Sequence, residues 1–178
     1  FTVDAEEADR LEMSMDIIEA LARDDSLFTR ADGTRWEGFG MAIQAYQKRG
    51  VPLCEWVARL ARKHDRKFFV RLVKGAYWDT EIKLAHVGGL SDFPVFTRKI
   101  ATDVSFLACA DKLLAANDAI YPAFATHNAY TIGSIKAMAA KASSSEAVGH
   151  QSHKTFEFQR LHGMGEDIYG ALAQMEGN

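Results

Sequence analysis

The chain has 178 residues, 48% of them hydrophobic and 25% charged, with a formal net charge of −3. This is the composition of a folded protein able to bury a sizeable core, and it excludes a disordered chain. Acidic and basic residues are interspersed, without a basic stripe interleaved with aromatics, which excludes a nucleic-acid partner attracted by a long-range field.

The predicted elements alternate along the chain. A strand over Phe1–Val3 leads into a helix over about Ala5–Arg23, where Leu11, Met15, Ile18 and Leu21 recur at helical spacing. Residues 24–37 form a connection on the outer or lower side of the fold. The second unit has a strand near Phe39–Ala45 and a helix near Leu53–Lys63. A third strand, Lys67–Lys74, is followed by a loop through Gly88-Gly89 and a long helix over about Val95–Ala115. A fourth strand, Ala119–Thr126, runs into His127-Asn128 and a helix near Ile132–Lys141. Residues 142–154 are polar, with three successive serines, and read as a flexible connection. A fifth strand, Thr155–Leu161, ends in His162-Gly163-Met164-Gly165 before a short final helix. Cys54 and Cys109 lie inside helical runs and make no metal pattern, so both read as small buried hydrophobes. No run of about 18 apolar residues could span a bilayer, and no charged start leads into a signal-like stretch, so a cytoplasmic location is expected. The chain opens on Phe1 in what reads as a strand already under way, as expected of a piece of a longer polypeptide.

Five β-then-α units imply a parallel sheet, because parallel neighbours need crossover helices. Each strand ends in polar residues: Asp4, Gln44, Arg71 with Lys74, Thr126 with His127, and Gln159 with His162. Ligand groups at the ends of many strands favour an α/β fold of the (βα)8 TIM-like barrel type over a doubly wound sheet, whose contacts concentrate at one switch point. A full barrel takes about 250 residues, so this chain is expected to be a partial barrel of about five units.

The stretch from Arg71 to Asp79 follows the apolar run Phe68-Phe69-Val70. Strand alternation turns Arg71, Val73 and Gly75 to one face and Leu72 and Lys74 to the other. Two cations on opposite faces suit a long, phosphate-bearing ligand better than a small anion.

Asp4-Ala5-Glu6-Glu7, Gln44 to Lys48, Arg71 to Asp79, Phe124 to Asn128 and Phe158 to Gly165 resemble, in that order, motifs of the proline dehydrogenase domain, most closely that of bacterial bifunctional proline utilisation flavoenzymes. The resemblance implies a distorted (βα)8 barrel that carries FAD and oxidises L-proline to 1-pyrroline-5-carboxylate by hydride transfer to flavin N5. Electrons would pass to a quinone, through peripheral association with the inner membrane. It makes residues 1–178 part of a single barrel domain lacking its first strands and its last strand and helix.

By the same resemblance, Arg71 sits at the flavin's reactive edge, where a fixed cation favours the reduced ring, and Asp4 orients it through a charge-assisted hydrogen bond. Read unaided, Arg71 is equally a salt-bridged strand arginine and Asp4 equally a helix N-cap, with Glu6 and Glu7 as first-turn acids. Ala5 and Gln44 are implied flavin contacts, although an amide on an apolar strand is more often a structural hydrogen bonder. Lys74, Gly75 and Ala76 match the cofactor turn, and Thr126 and His127 add donors for phosphate or ribose oxygens. A satisfied histidine at a strand end explains His127 as well. Trp78 packs on the ribityl or adenine part, or is core. Thr97 and Lys99 fall near the adenosine, or form a solvated basic turn. Gln159 is a further cofactor position, and Leu161 would offer apolar surface to the pyrrolidine ring. Two adjacent arginines and an early-strand lysine that hold the family's substrate have no counterpart here, so this segment is expected to bind proline poorly. Rival readings are a catalytically incomplete or scaffold fragment, a hydrolase with Asp4, His127 and His162 as metal ligands, and an aldolase built on Lys74.

Overall fold

The computed structural model of the chain describes residues 1–145 and 156–176. Five strands, β1 (Thr2–Val3), β2 (Gly40–Gln44), β3 (Phe68–Val73), β4 (Ile120–Ala125) and β5 (Glu157–Gln159), pair in parallel in the order β1-β2-β3-β4-β5. Neighbours in space are neighbours in sequence, as around a (βα) barrel. A doubly wound sheet would reverse its strand order at a switch point. The helices are α1 (Leu11–Ala22), α2 (Gly50–Lys63), α3 (Trp78–Val87), α4 (Lys99–Leu114), α5 (Ala129–Ser145) and α6 (Glu166–Glu176).

β3 shows why the sheet has two different faces. Phe68, Val70 and Leu72 are fully buried, whereas Phe69, Arg71 and Val73 are partly open. The first set joins Met41 and Ile43 of β2 and Ile120 and Phe124 of β4 in a core closed by Leu53, Val57 and Leu60 of α2, Phe106 and Leu113 of α4 and Ile135 of α5. The second set looks inward. Register carries it across the sheet in rows: Gly40, Phe69 and Tyr121; then Ala42, Arg71 and Ala123; then Gln44 beside Val73. Tyr121 stacks on Phe69 with ring centroids 5.9 Å apart, so the lowest row is aromatic while the next is small around Arg71.

Residues 24–37 do lie beneath the strands. Phe28 packs edge-on against Phe39 and tilted against Phe68 at the strand starts, with the Arg66 guanidinium 4.4 Å over its ring. The connection has more structure than the loop expected. Asp25–Phe28 form a 3-10 turn and Thr29 bridges Arg35.

Three further expectations are corrected. The first helix begins at Leu11, after a 3-10 turn at Ala8–Arg10, and not at Ala5. The third unit contains two helices: α3 occupies part of the expected loop, and α4 starts at Lys99 because Val95 is held in a bridge to Gln47. Helical spacing gave little sign of α3, since the residues it buries are Glu81 and Ala85 and not a large apolar stripe. α5 continues through Ser145, four residues past Lys141. The rest of the expected polar connection, from 146, lies outside the described residues, as does Thr155.

Candidate functional site at the strand ends

Arg71 stands in the inward row between Ala42 and Ala123, and its guanidinium pairs with Asp4, just beyond β1. Small neighbours leave room above the sheet, and Asp4 fixes the direction of the fork. Asp4 does not cap a helix. Glu7 holds the N-cap position of the following 3-10 turn, and its side chain makes no capping bond.

Lys74 turns to the opposite face, as alternation requires, and pairs with Asp103 of α4. Lys99 reaches the same carboxylate at 2.7 Å. Hydrogen bonds from Lys74 and then Lys99 hold the Asp103 carboxyl below its ordinary range. Thr97 and Lys99 are both exposed on the rim, where Trp78 Nε1 donates to the carbonyl of Phe96 at 3.0 Å and so ties α3 to the segment before α4.

Gln44 is buried, and its amide is used inside the protein. Nε2 donates to the carbonyl of Glu6 at 2.8 Å and Oε1 accepts from Ala76 N–H at 3.0 Å. It therefore joins the loop after β1 to the turn after β3. In that turn Gly75 has φ +149°, and a Cβ there would stand 2.4 Å from the Tyr46 ring. Only glycine accommodates both the backbone and the ring. Tyr77, next to Ala76, donates its hydroxyl to Glu6 at 3.0 Å, a bond that raises its pKa.

β4 and β5 meet through Tyr169 of α6, whose hydroxyl lies 2.8 Å from the carbonyls of both Thr126 and Gln159. Thr126 is buried, and its Oγ1 accepts from Asn128 N–H at 3.2 Å. His127 Nε2 accepts from Leu161 N–H at 3.0 Å, so the ring's proton sits on Nδ1, leaving that atom a donor. The Gln159 amide donates to Glu157 at 2.8 Å. Leu161 is 65% exposed.

The tertiary structure thus pairs Arg71 with Asp4 and joins Gln44 both to Ala76, next to Gly75, and to Glu6, next to Ala5. Thr126, His127, Gln159 and Leu161 form a second cluster at the end of β4 and β5. Asp4, His127 and His162 form no metal-holding group among the described residues. Sequence reasoning missed Glu81, Asp103 and Tyr169. Asp103 lies four residues after Lys99 on a helix, an available signal. Nothing local marked the other two.

A family model described as proline dehydrogenase matches residues 1–178. The "Bifunctional protein PutA" of Escherichia coli (strain K12) is 48% identical over 167 residues, covering 94% of this chain and 12% of that protein. The protein of the same name from Rhizobium meliloti is 48% identical over 172 residues, with 94% and 12% covered. The chain therefore spans about an eighth of these curated relatives, at 12% of their length. A crystal structure of a point mutant of Bradyrhizobium japonicum proline utilization A is 54% identical with a TM-score of 0.87, covering 99% of this chain and 16% of that one. Proline utilization A from Bdellovibrio bacteriovorus, inactivated by N-propargylglycine, is 30% identical at a TM-score of 0.85, with 98% and 17% covered.

Proposed function

The chain belongs to the proline dehydrogenase family, and on that premise we propose that it forms part of a barrel domain that binds FAD and oxidises L-proline to 1-pyrroline-5-carboxylate in proline catabolism. The observation that carries this reading is the Arg71–Asp4 pair set among alanines on the inward face, directly below the strand ends. The donor set suits a flavin dinucleotide: an oriented guanidinium on a floor of small residues for a flat ring, with Lys74 and the Nδ1–H of His127 at the rim for phosphate or ribose oxygens.

A bound flavin would supply the acceptor for the two electrons that leave L-proline. Arg71 contributes a permanent charge that favours electron density beside it, and Asp4 keeps that charge aimed. Gln44, by joining Glu6 to Ala76, holds the loop carrying Asp4 and Ala5 against the turn carrying Lys74 and Gly75, so both sides of the rim stay in register. Lys74 reaches a ligand by exchanging Asp103, a carboxylate it already shares with Lys99. Trp78 orders the segment leading to Thr97 and Lys99. Leu161 supplies apolar surface for the substrate ring. A quinone is proposed as the final acceptor, reached by peripheral membrane contact. No helix among the described residues is long and apolar enough to cross a membrane.

The test is a visible absorption spectrum of the full-length protein, before and after anaerobic addition of L-proline. Flavin bands that bleach with proline are expected, as is inactivation by N-propargylglycine. A protein that purifies without flavin and takes up none overturns the reading.

A further inference from the structure

The loop that carries Asp4 enters its helix without a local cap. Glu7 precedes the 3-10 turn and Arg10 precedes α1, and neither side chain makes a capping bond. The acceptor comes from 73 positions away: Ala8 N–H donates to Glu81 Oε1 at 2.6 Å. Glu81 lies on α3 and is only 3% exposed, yet no cation pairs with it among the described residues. A buried side-chain oxygen needs a donor, and the Ala8 N–H at the start of the 3-10 turn supplies one.

Its surroundings support that role. The carbonyl of Ala8 accepts from Arg49 Nη2 at 2.6 Å, so this one peptide region is held on both sides. Tyr46, under Gly75, has a buried hydroxyl with no side-chain partner among the described residues. Burial first, and then the nearby Glu81, push the Tyr46 pKa up to about 12. With Gln44, Glu81 is one of two buried polar side chains among the described residues that tie the loop after β1 to the chain after β3.

We propose that Glu81 is a positioning residue: by capping the first helical turn after β1 it locks the loop bearing Asp4 onto α3 and so sets how Asp4 holds Arg71. This rests on the reading of the Arg71–Asp4 pair as the flavin-side charge. It acts through Asp4 and touches neither cofactor nor substrate.

The experiment uses the full-length protein, its Glu81→Ala, Glu81→Gln and Asp4→Ala variants, and the double variant E81A/D4A. Hydrogen exchange at Ala8 is expected to quicken roughly tenfold in Glu81→Ala, the worth of a typical cap, and to recover in Glu81→Gln, which keeps an acceptor. kcat for proline is expected to fall roughly tenfold in Glu81→Ala, and E81A/D4A to be no slower than Asp4→Ala alone, because the two act in series. Unchanged protection of Ala8 overturns the proposal, and so do losses that multiply in the double variant. Where Glu81→Ala does not accumulate folded, Glu81→Asp, a methylene shorter, takes its place in the same cycle. A wild-type protein without flavin sinks the functional reading instead, while Ala8 exchange still decides whether Glu81 is the cap.

Discussion

Replacing Gly75 with alanine tests the geometry of the turn after β3. Two costs are expected. An L-residue at φ +149° occupies backbone space that is essentially glycine's, worth about 1–3 kcal/mol. The new methyl would also lie 2.4–2.5 Å from three atoms of the Tyr46 ring, an overpacking penalty of about 1–3 kcal/mol. Tyr46 cannot easily yield, being 3% exposed, with its amide bonded to the Lys74 carbonyl at 2.7 Å and its carbonyl accepting from Phe96 N–H at 2.8 Å. The sum is about 4 kcal/mol, a large share of the ~5–15 kcal/mol that holds a domain together. Gly33 is the control, because it has φ +80° but no atom within 4 Å of a built Cβ. Gly33→Ala should carry backbone strain alone, about 1 kcal/mol. Urea unfolding monitored by fluorescence compares the two variants. Adding Tyr46→Leu to Gly75→Ala should recover at least about 1 kcal/mol relative to the sum of the single effects. A Gly75→Ala protein within about 0.5 kcal/mol of Gly33→Ala would refute the packing argument.

Three other outcomes follow from single contacts. Asp103 is held below the ordinary carboxylate range by Lys74 and Lys99, so its contribution is present above about pH 4 and disappears as pH falls through the lowered folded value. The urea midpoint of Asp103→Asn should therefore trail wild type at pH 7 and close the gap as pH falls through that lowered value, and a gap that stays constant contradicts the pairing. A hydrogen bond to Cys109, together with burial, keeps the Cys54 thiol well above its usual range, and the same bond lowers that of Cys109, but both side chains are buried, so N-ethylmaleimide should label neither cysteine before unfolding, as read by peptide mass spectrometry. Tyr169→Phe removes the hydroxyl shared by the Thr126 and Gln159 carbonyls and should cost about 1 kcal/mol. The Thr126 amide, 3.2 Å from the Gln159 carbonyl, should exchange faster, and unchanged exchange there would show that the β4–β5 junction does not depend on this hydroxyl.

Much of the fold was legible because it rests on local periodicity. The run from Phe68 to Val73 alternates in burial as its pattern requires, and the same period sends Arg71 and Lys74 to opposite faces. Five β-then-α repeats implied parallel pairing, and polar residues at every strand end favoured a barrel over a doubly wound sheet. α3 escaped because its buried face is a carboxylate and an alanine, which carry no hydrophobic signal. The first helix starts later than its sequence suggests because Asp4-Ala5-Glu6-Glu7 is good capping chemistry, yet a charge partner 67 residues away claims Asp4 instead.

What the sequence determined by itself was the set of elements and the residues offered at their ends, since propensity and two-residue alternation act over a few positions. Only the tertiary structure decided which offered group meets which. Arg71 found Asp4, Lys74 found Asp103, Gln44 was spent between Glu6 and Ala76, and Glu81 was drawn inside to cap Ala8. Those choices depend on strand register and helix docking, which set distances between residues 29 to 73 positions apart along the chain, and a buried polar group takes whatever partner that packing leaves within reach.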